Sequence, residues 1–293
     1  RLALDGDLRL LECHSKANAL TDASSEIVAA AAKDEGAGIM VHNDAQHFSA
    51  GVDLNAFRRM IEAGQWDEID GFLLRFQTAV AALKYVPVPV VGAPSGLAAG
   101  GGFEVLAHCD KLVVHTNSVL GLVEAAVGVV PSGGGVKESY LSWHAHLGDW
   151  EQAAWKAWMN LGYAATGSSP ELASRMQYFR QDHDETLMNR DRLLPRAIQL
   201  VTKMAASYTP PKPPKAELAP AALAEKMAGF MQDGVDRGDF MPHDKTVAMQ
   251  IATIMVQSPD EDSPIDEDGL FARERAAFIR LAKTPKTHAR ISA

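Results

Sequence analysis

Cysteine is scarce in this chain. Its 293 residues hold two, Cys13 and Cys109, too few for a disulfide framework. Both sit in apolar stretches, so reduced, buried thiols of a cytosolic protein are expected rather than a redox or metal pair. Positive charge is also in deficit: 28 Lys and Arg against 37 Asp and Glu leave a net −9. That balance argues against a nucleic-acid scaffold and against adsorption on anionic lipid, while an anion-binding pocket stays open. No apolar run approaches the ~20 residues of a membrane span, and no secretory signal opens the chain. The first residue is Arg1 rather than Met, as expected of a piece of something longer. A serine-hydrolase elbow G-x-S-x-G is missing, and a dinucleotide fingerprint cannot be threaded through Gly100, Gly101 and Gly102 or through Gly133, Gly134 and Gly135, which disfavours a nicotinamide cofactor. The histidines His108, His144 and His146 lack metal-ligand spacing with acid or cysteine partners, so no metal is expected and packing or capping is the better reading.

What remains is ordinary globular material, 47% hydrophobic and 22% charged, long enough for one or two domains. Short apolar stretches at 8–13, 38–42, 89–93 and 111–115 read as strands, and 23–33 and 72–83 carry apolar residues at helical spacing. Strands alternating with helices predict an α/β body with mostly parallel pairing over residues 1–163. Residues 164–293 read as a helical region. Within it 173–206 is helical with interruptions, 208–214 (YTPPKPP) cannot be helix, and 223–232, 245–257 and 270–283 are three further helices. The acidic run 260–268 reads as a solvated loop. Trp143, Trp150, Trp155 and Trp158 read as core or interface rather than as a cofactor box.

Three stretches could carry chemistry. FSAGVDL (48–54) follows a strand, and a small-residue turn there leaves backbone N–H groups able to hold an anion or a developing oxyanion; many α/β turns look the same. GLAAGGGFE (96–104) places three glycines after a strand and Glu104 in the first turn of the next helix. The glycines either let backbone approach a ligand or only let the helix pack closely, with Glu104 answering the helix dipole. GLVEAAVGVVPSGGG (121–135) sets Glu124 alone in an apolar setting, where a carboxylate needs a partner or a raised pKa. A salt-bridged or rim-exposed glutamate is the competing reading.

In that order and spacing the three stretches resemble the crotonase superfamily, the enoyl-CoA hydratases and isomerases. Pro131 after Glu124, and Cys109 followed by Asp110, fit the same pattern. The resemblance covers roughly residues 8–163 and implies a crotonase fold of ββα units. It implies that the N–H groups of Val52 and Gly101 form an oxyanion hole for a thioester carbonyl, and that Glu104 and Glu124 flank one water. It places Lys16, Ala17, Ala50, Gly51, Asp53, Leu54 and Gly100 against an acyl-CoA substrate, with the loop SKANAL (15–20) near the CoA adenine. No cofactor is implied, since CoA is part of the substrate. Hydration needs both acids, whereas isomerases of this family can work with the one matching Glu124. The expected activity is therefore enoyl-CoA hydratase in fatty-acid β-oxidation, with a Δ3,Δ2-enoyl-CoA isomerase or a non-catalytic acyl-CoA-binding module as rivals.

MNRDRL (188–193), YTPP (208–211) and ERAAFIRLAKTPKTHARI (274–291) resemble the C-terminal part of bacterial bifunctional 3-hydroxyacyl-CoA dehydrogenase/enoyl-CoA hydratases, which implies a dehydrogenase domain as partner in a longer chain. Stand-alone relatives form trimers and hexamers, so a homo-oligomer is open. Departures from the family pattern are Asn55 in place of a phosphate-binding lysine, Ser95 for asparagine, Ser132 for glycine, and a bulkier Phe103.

Overall fold

A computed structural model describes residues 2–4, 7–33, 36–258 and 263–292. In chain order the strands are β1 (Leu2–Leu4), β2 (Leu8–Leu11), β3 (Gly38–Val41), β4 (Val90–Gly92), β5 (Leu97–Ala99), β6 (Lys111–His115), β7 (Val119–Gly121), β8 (Thr166–Gly167), β9 (Glu185–Leu187), β10 (Lys215–Ala216) and β11 (Ile265–Asp266). The helices are α1 (Asp22–Lys33), α2 (Leu54–Glu62), α3 (Trp66–Lys84), α4 (Gly101–Ala107), α5 (Gly135–Leu147), α6 (Trp150–Gly162), α7 (Pro170–Ser174), α8 (Leu193–Ala205), α9 (Ala222–Arg237), α10 (Pro242–Met255), α11 (Glu267–Ala282) and α12 (Pro285–Ser292). Two compact units form, each from three separate stretches: Arg1–Asp53, Arg75–Gly121 and Thr166–Lys212 in the first, Leu54–Leu74, Leu122–Ala165 and Pro213–Ala293 in the second.

The first unit is the mixed α/β part expected from the alternation of strands and helices. Its main sheet runs β1-β2-β3-β4-β6-β9, with β1 antiparallel to β2 and every other pair parallel. Parallel neighbours need crossovers, and α1 supplies the one from β2 to β3. Leu8, Leu10, Met40, Val91, Ala93 and Val113 line one face, and α8 covers it with Leu193, Ala197, Leu200 and Val201. That i, i+4, i+7, i+8 spacing is one helical stripe, and each buried leucine or valine in it contributes about 1.5–3 kcal/mol. The helix comes so close that a Cβ on Gly38 would lie 2.0 Å from Val201 Cγ1. Ile39, Val41, Leu112 and Val114 on the other face are also buried, as parallel strands covered on both sides require. A second sheet, β5-β7-β8, completes the unit.

The stretch 173–206 departs from the helical expectation. Between α7 and α8 the chain turns at 180–184 and enters β9 alongside β6. Asp184 causes this: its buried carboxylate accepts the Leu112 N–H (3.0 Å) and pairs with Arg180, so a strand edge rather than a helical turn meets the local polar groups.

The second unit is largely helical and holds Pro213–Ala293 of the C-terminal region together with Leu54–Leu74 and Leu122–Ala165, whereas Thr166–Lys212, expected in the helical region, lies in the first unit. Trp158 on α6 is buried, donates its indole N–H to Ala248 O (2.8 Å) and meets Phe230 of α9 edge-on, so this tryptophan is core. Of the acidic run 260–268, residues 260–262 lie outside the described residues; the rest corrects the expectation of a solvated loop. Ile265–Asp266 pairs with Lys215–Ala216, Asp266 caps α11 through the Gly269 N–H, and Glu267 is buried against the Lys137 ammonium. Among the described residues no helix is long and apolar enough to cross a membrane.

Candidate active site

Residues 48–53 follow β3 after a short loop and run between two backbone neighbours. On one side Ser49 N–H donates to Leu97 O (3.0 Å) and Ala99 N–H to Ser49 O (3.2 Å). On the other, Leu20 N–H donates to Gly51 O (2.8 Å) and Asp53 N–H to Leu20 O (3.0 Å). Ala50 N–H reaches Ala17 O, and Gly51 N–H the Ser49 hydroxyl. In this parallel bridging Leu20 bonds to the residues on either side of Val52. The Val52 amide is left over, with no acceptor among the described residues. Gly51 has φ +93°, a conformation that favours glycine.

β5 leads into α4 through Gly100, whose φ 54° and ψ −133° belong to glycine territory. The Gly100 N–H is taken by Gly121 O (2.9 Å). Gly101 is the first residue of α4, so its amide is one of the donors that a helix start leaves unpaired. It lies beside Val52: a Cβ on Gly101 would sit 3.0 Å from Val52 Cγ1 and 3.6 Å from Val52 N. Gly102 serves packing, since a Cβ there would lie 2.5 Å from Ser49 Cβ.

Glu104 sits in the first turn of α4 and is buried, 3% exposed. Its amide donates to Gly100 O (3.0 Å), and its carbonyl lies 2.7 Å from His108 Nδ1. His108 is therefore a packed core histidine. The bulky Phe103 finds room edge-on to Tyr178, 4.9 Å between ring centres. Cys109 and Asp110 follow. Burial pushes the Cys109 thiol well up, and the Asp110 carboxylate is raised by burial while it accepts the Val90 N–H and the Tyr208 hydroxyl. That pair closes α4 onto the sheet.

Lys16 and Ala17 lie on a 3₁₀ turn, Lys16–Asn18, with Ala17 at φ 55° and Asn18 at φ 50°. Both are exposed. The turn is tied to the glycine segment by Asn18 Nδ2 donating to His47 O (3.0 Å) and Ser49 Oγ donating to Asn18 O (2.8 Å). Sequence reasoning overlooked Asn18 and Ser49; the small polar Ser49 two residues before Gly51 was the available signal, whereas Asn18 flanks no glycine in the sequence. The first unit thus gathers Lys16, Ala17, Ala50, Gly51, Val52, Asp53, Gly100, Gly101 and Glu104.

Leu54 and Glu124 belong to the second unit. Leu54 opens α2 and is exposed. Glu124 opens a single 3₁₀ turn, Glu124–Val127, closed by Gly128 at φ 85°. Its own carbonyl accepts from Val129 N–H (3.1 Å), and the residue is half-buried. Downstream, the buried Glu274 carboxylate takes the N–H groups of Gly134 (2.7 Å) and Lys137 (2.8 Å), anchoring the start of α5. Among the described residues no three His, Cys, Asp or Glu side chains gather as metal ligands.

The family profile described as enoyl-CoA hydratase/isomerase matches residues 11–142. A Bacillus subtilis protein named as a probable 3-hydroxyacyl-CoA dehydrogenase is 29% identical over 98% of this chain and 37% of its own length. Mouse mitochondrial methylglutaconyl-CoA hydratase is 33% identical over 90 residues, 31% of this chain and 27% of the relative. The chain spans about a third of the length of the curated relatives it matches. Among solved structures, an enoyl-CoA hydratase from Bacillus halodurans shares the fold at a TM-score of 0.65 and 17% identity, covering 99% of this chain and 97% of the other. Motif order, fold and profile agree: residues 11–142 match the enoyl-CoA hydratase/isomerase family, and the chain has the crotonase fold.

Proposed function

We propose that the chain adds water to 2-enoyl-CoA thioesters, the hydration step of fatty-acid β-oxidation, in the cytoplasm and without a cofactor. The observation that carries this reading is the pair of neighbouring amides, Val52 and Gly101, without acceptors among the described residues, on the unit that buries Glu104. Addition of water to a conjugated thioester puts negative charge on the carbonyl oxygen. Two fixed N–H donors stabilise that charge, each by about 3 kcal/mol judged by other oxyanion holes. One carboxylate takes a proton from water as its oxygen bonds to C3; the other delivers a proton to C2. Glu104 and Glu124 take these two roles. Their settings differ, one buried in a helix's first turn and one half-buried at the head of a 3₁₀ turn, and unlike settings are what separates an acid from a base. Lys16, Ala17, Ala50, Gly51, Asp53, Leu54 and Gly100 contact the acyl-CoA.

The product of that step is a 3-hydroxyacyl-CoA. A relative named for the dehydrogenation of such compounds supports a dehydrogenase partner that takes the product on. The isomerase reading rests on the coarser family description, which covers both activities.

The test is loss of the conjugated enoyl-thioester absorbance with crotonyl-CoA and a long-chain 2-enoyl-CoA. Wild type should hydrate at least one of them. Glu104→Gln and Glu124→Gln should each lose on the order of 10²–10⁴ in kcat while still folded. Conversion of a 3-enoyl-CoA that survives Glu104→Gln but not Glu124→Gln, with no hydration, would replace the hydratase reading by the isomerase one. Folded wild type that binds CoA esters and converts neither would leave the binding-module reading.

A further inference from the structure

The turn that carries Glu124 is short and has no side-chain cap at its start. Its far end is held from the other end of the unit's sequence. Thr287 Oγ1, on α12, donates to Gly128 O at 2.7 Å across 159 residues. Thr287 is fully buried. A hydroxyl has one proton, and with that proton directed at Gly128 its lone pairs need donors. His243 Nε2 lies 2.9 Å away and Thr284 Oγ1 3.0 Å away. Burial and the nearby Arg290 hold the His243 pKa below the usual range, so the imidazole is neutral and can present an Nε2–H to the threonine. Arg290 is itself paired with Asp244.

These groups close on one glycine. A Cβ on Gly128 would lie 3.0 Å from Thr287 Oγ1, 3.3 Å from His243 Nε2 and 3.3 Å from Arg290 Cδ, at a φ of +85° that already disfavours a side chain. Gly128 and Val129 in turn bond to the turn itself, through Ala125 O and Glu124 O. The backbone that aims Glu124 is thereby fixed on one side by its own turn and on the other by α12.

We infer that Thr287, oriented by His243, is a positioning residue for Glu124, which makes the C-terminal helix part of the catalytic apparatus. The inference rests on the reading of Glu124 as a catalytic carboxylate. The test uses Thr287→Val, which removes the hydroxyl at constant shape, and Thr287→Ser, which restores it, in the full chain and below the thermal midpoint of each variant. Thr287→Val should lower kcat for hydration by about 10- to 100-fold, the range a misplaced catalytic group produces, with KM little changed and amide hydrogen exchange at Gly128 and Val129 faster than in wild type. Thr287→Ser should recover both rate and protection. Should Thr287→Val fail to fold, His243→Leu removes the donor instead and should shift the same readouts in the same direction. Faster exchange with an unchanged kcat would overturn the inference, as would unchanged exchange. If Glu124→Gln retains full hydration, the reading of the site falls first and the inference with it. If Glu124→Gln is inactive and Thr287→Val is not impaired, the inference alone falls.

Discussion

At Gly101 and Gly102, adjacent residues of identical chemistry do different work. Gly101 opens α4 beside Val52, and Gly102 lets α4 settle on Ser49. The sequence made the glycine run, the two glutamates and the strand before each turn visible, because those features are local. It could not assign roles within the run, since the assignment depends on which neighbour crosses each Cα. Substitution separates the roles. Gly102→Ala puts a Cβ 2.5 Å from Ser49 Cβ and should cost about 1–3 kcal/mol by overpacking. Gly229, exposed inside α9, has nothing within 4 Å of a built Cβ. Gly229→Ala should therefore raise stability by about 0.5–1 kcal/mol through helix propensity alone. Denaturant midpoints of the two variants check both signs, and a stabilised Gly102→Ala would contradict the close approach of α4.

At the scale of elements, apolar periodicity located α1, α10 and α11 closely, found α3 without its first six residues and α9 without its last five, and said nothing of what they cover. The extreme case is α8, whose stripe closes one face of the parallel sheet. Charge type was equally silent. Glu267 reads as part of a solvated run, yet it is buried against Lys137, because only the tertiary partner decides whether a carboxylate meets water or an ammonium. The β9–α8 junction gives a measurable pH effect. Two hydrogen bonds from the Arg196 guanidinium, with Lys111 nearby, hold the Glu185 carboxyl below the usual carboxylate range. A carboxylate with a depressed folded pKa adds stability above its unfolded pKa of about 4.3. That stability is lost as pH falls through the folded value. The pair is partly open to water, so the contribution is small, about 1 kcal/mol or less. Glu185→Gln should lower the urea midpoint slightly at pH 7 and match wild type near pH 3. A difference that grew toward acid would show that Arg196 does not hold this carboxylate.

For the whole molecule, the change of character near residue 163 marks one of the places where the chain passes between units, Ala165 to Thr166. The crossing after Lys212 falls in the proline-rich stretch 208–214, whereas those after Asp53, Leu74 and Gly121 coincide with no shift in composition, because each falls inside or beside a motif whose local pattern runs on; α3 even continues through one of them. Interleaving of this kind has a consequence for dissection. A fragment of residues 1–163 keeps β2, β3, β4 and β6 but loses α8, so Leu8, Leu10, Met40, Val91, Ala93 and Val113 would face water. It also loses β8 and β9 from the first unit, and α9, α10, α11 and α12 from the second. Exposing that apolar face removes several contributions of about 1.5–3 kcal/mol each, comparable with the whole stability of an ordinary domain, about 5–15 kcal/mol. Expressed alone, residues 1–163 should lack a cooperative thermal transition and near-ultraviolet dichroism, while residues 1–293 show both. A cooperative melt of the fragment would mean that the sheet needs no cover from α8, and that the three stretches of the first unit are not one folding unit.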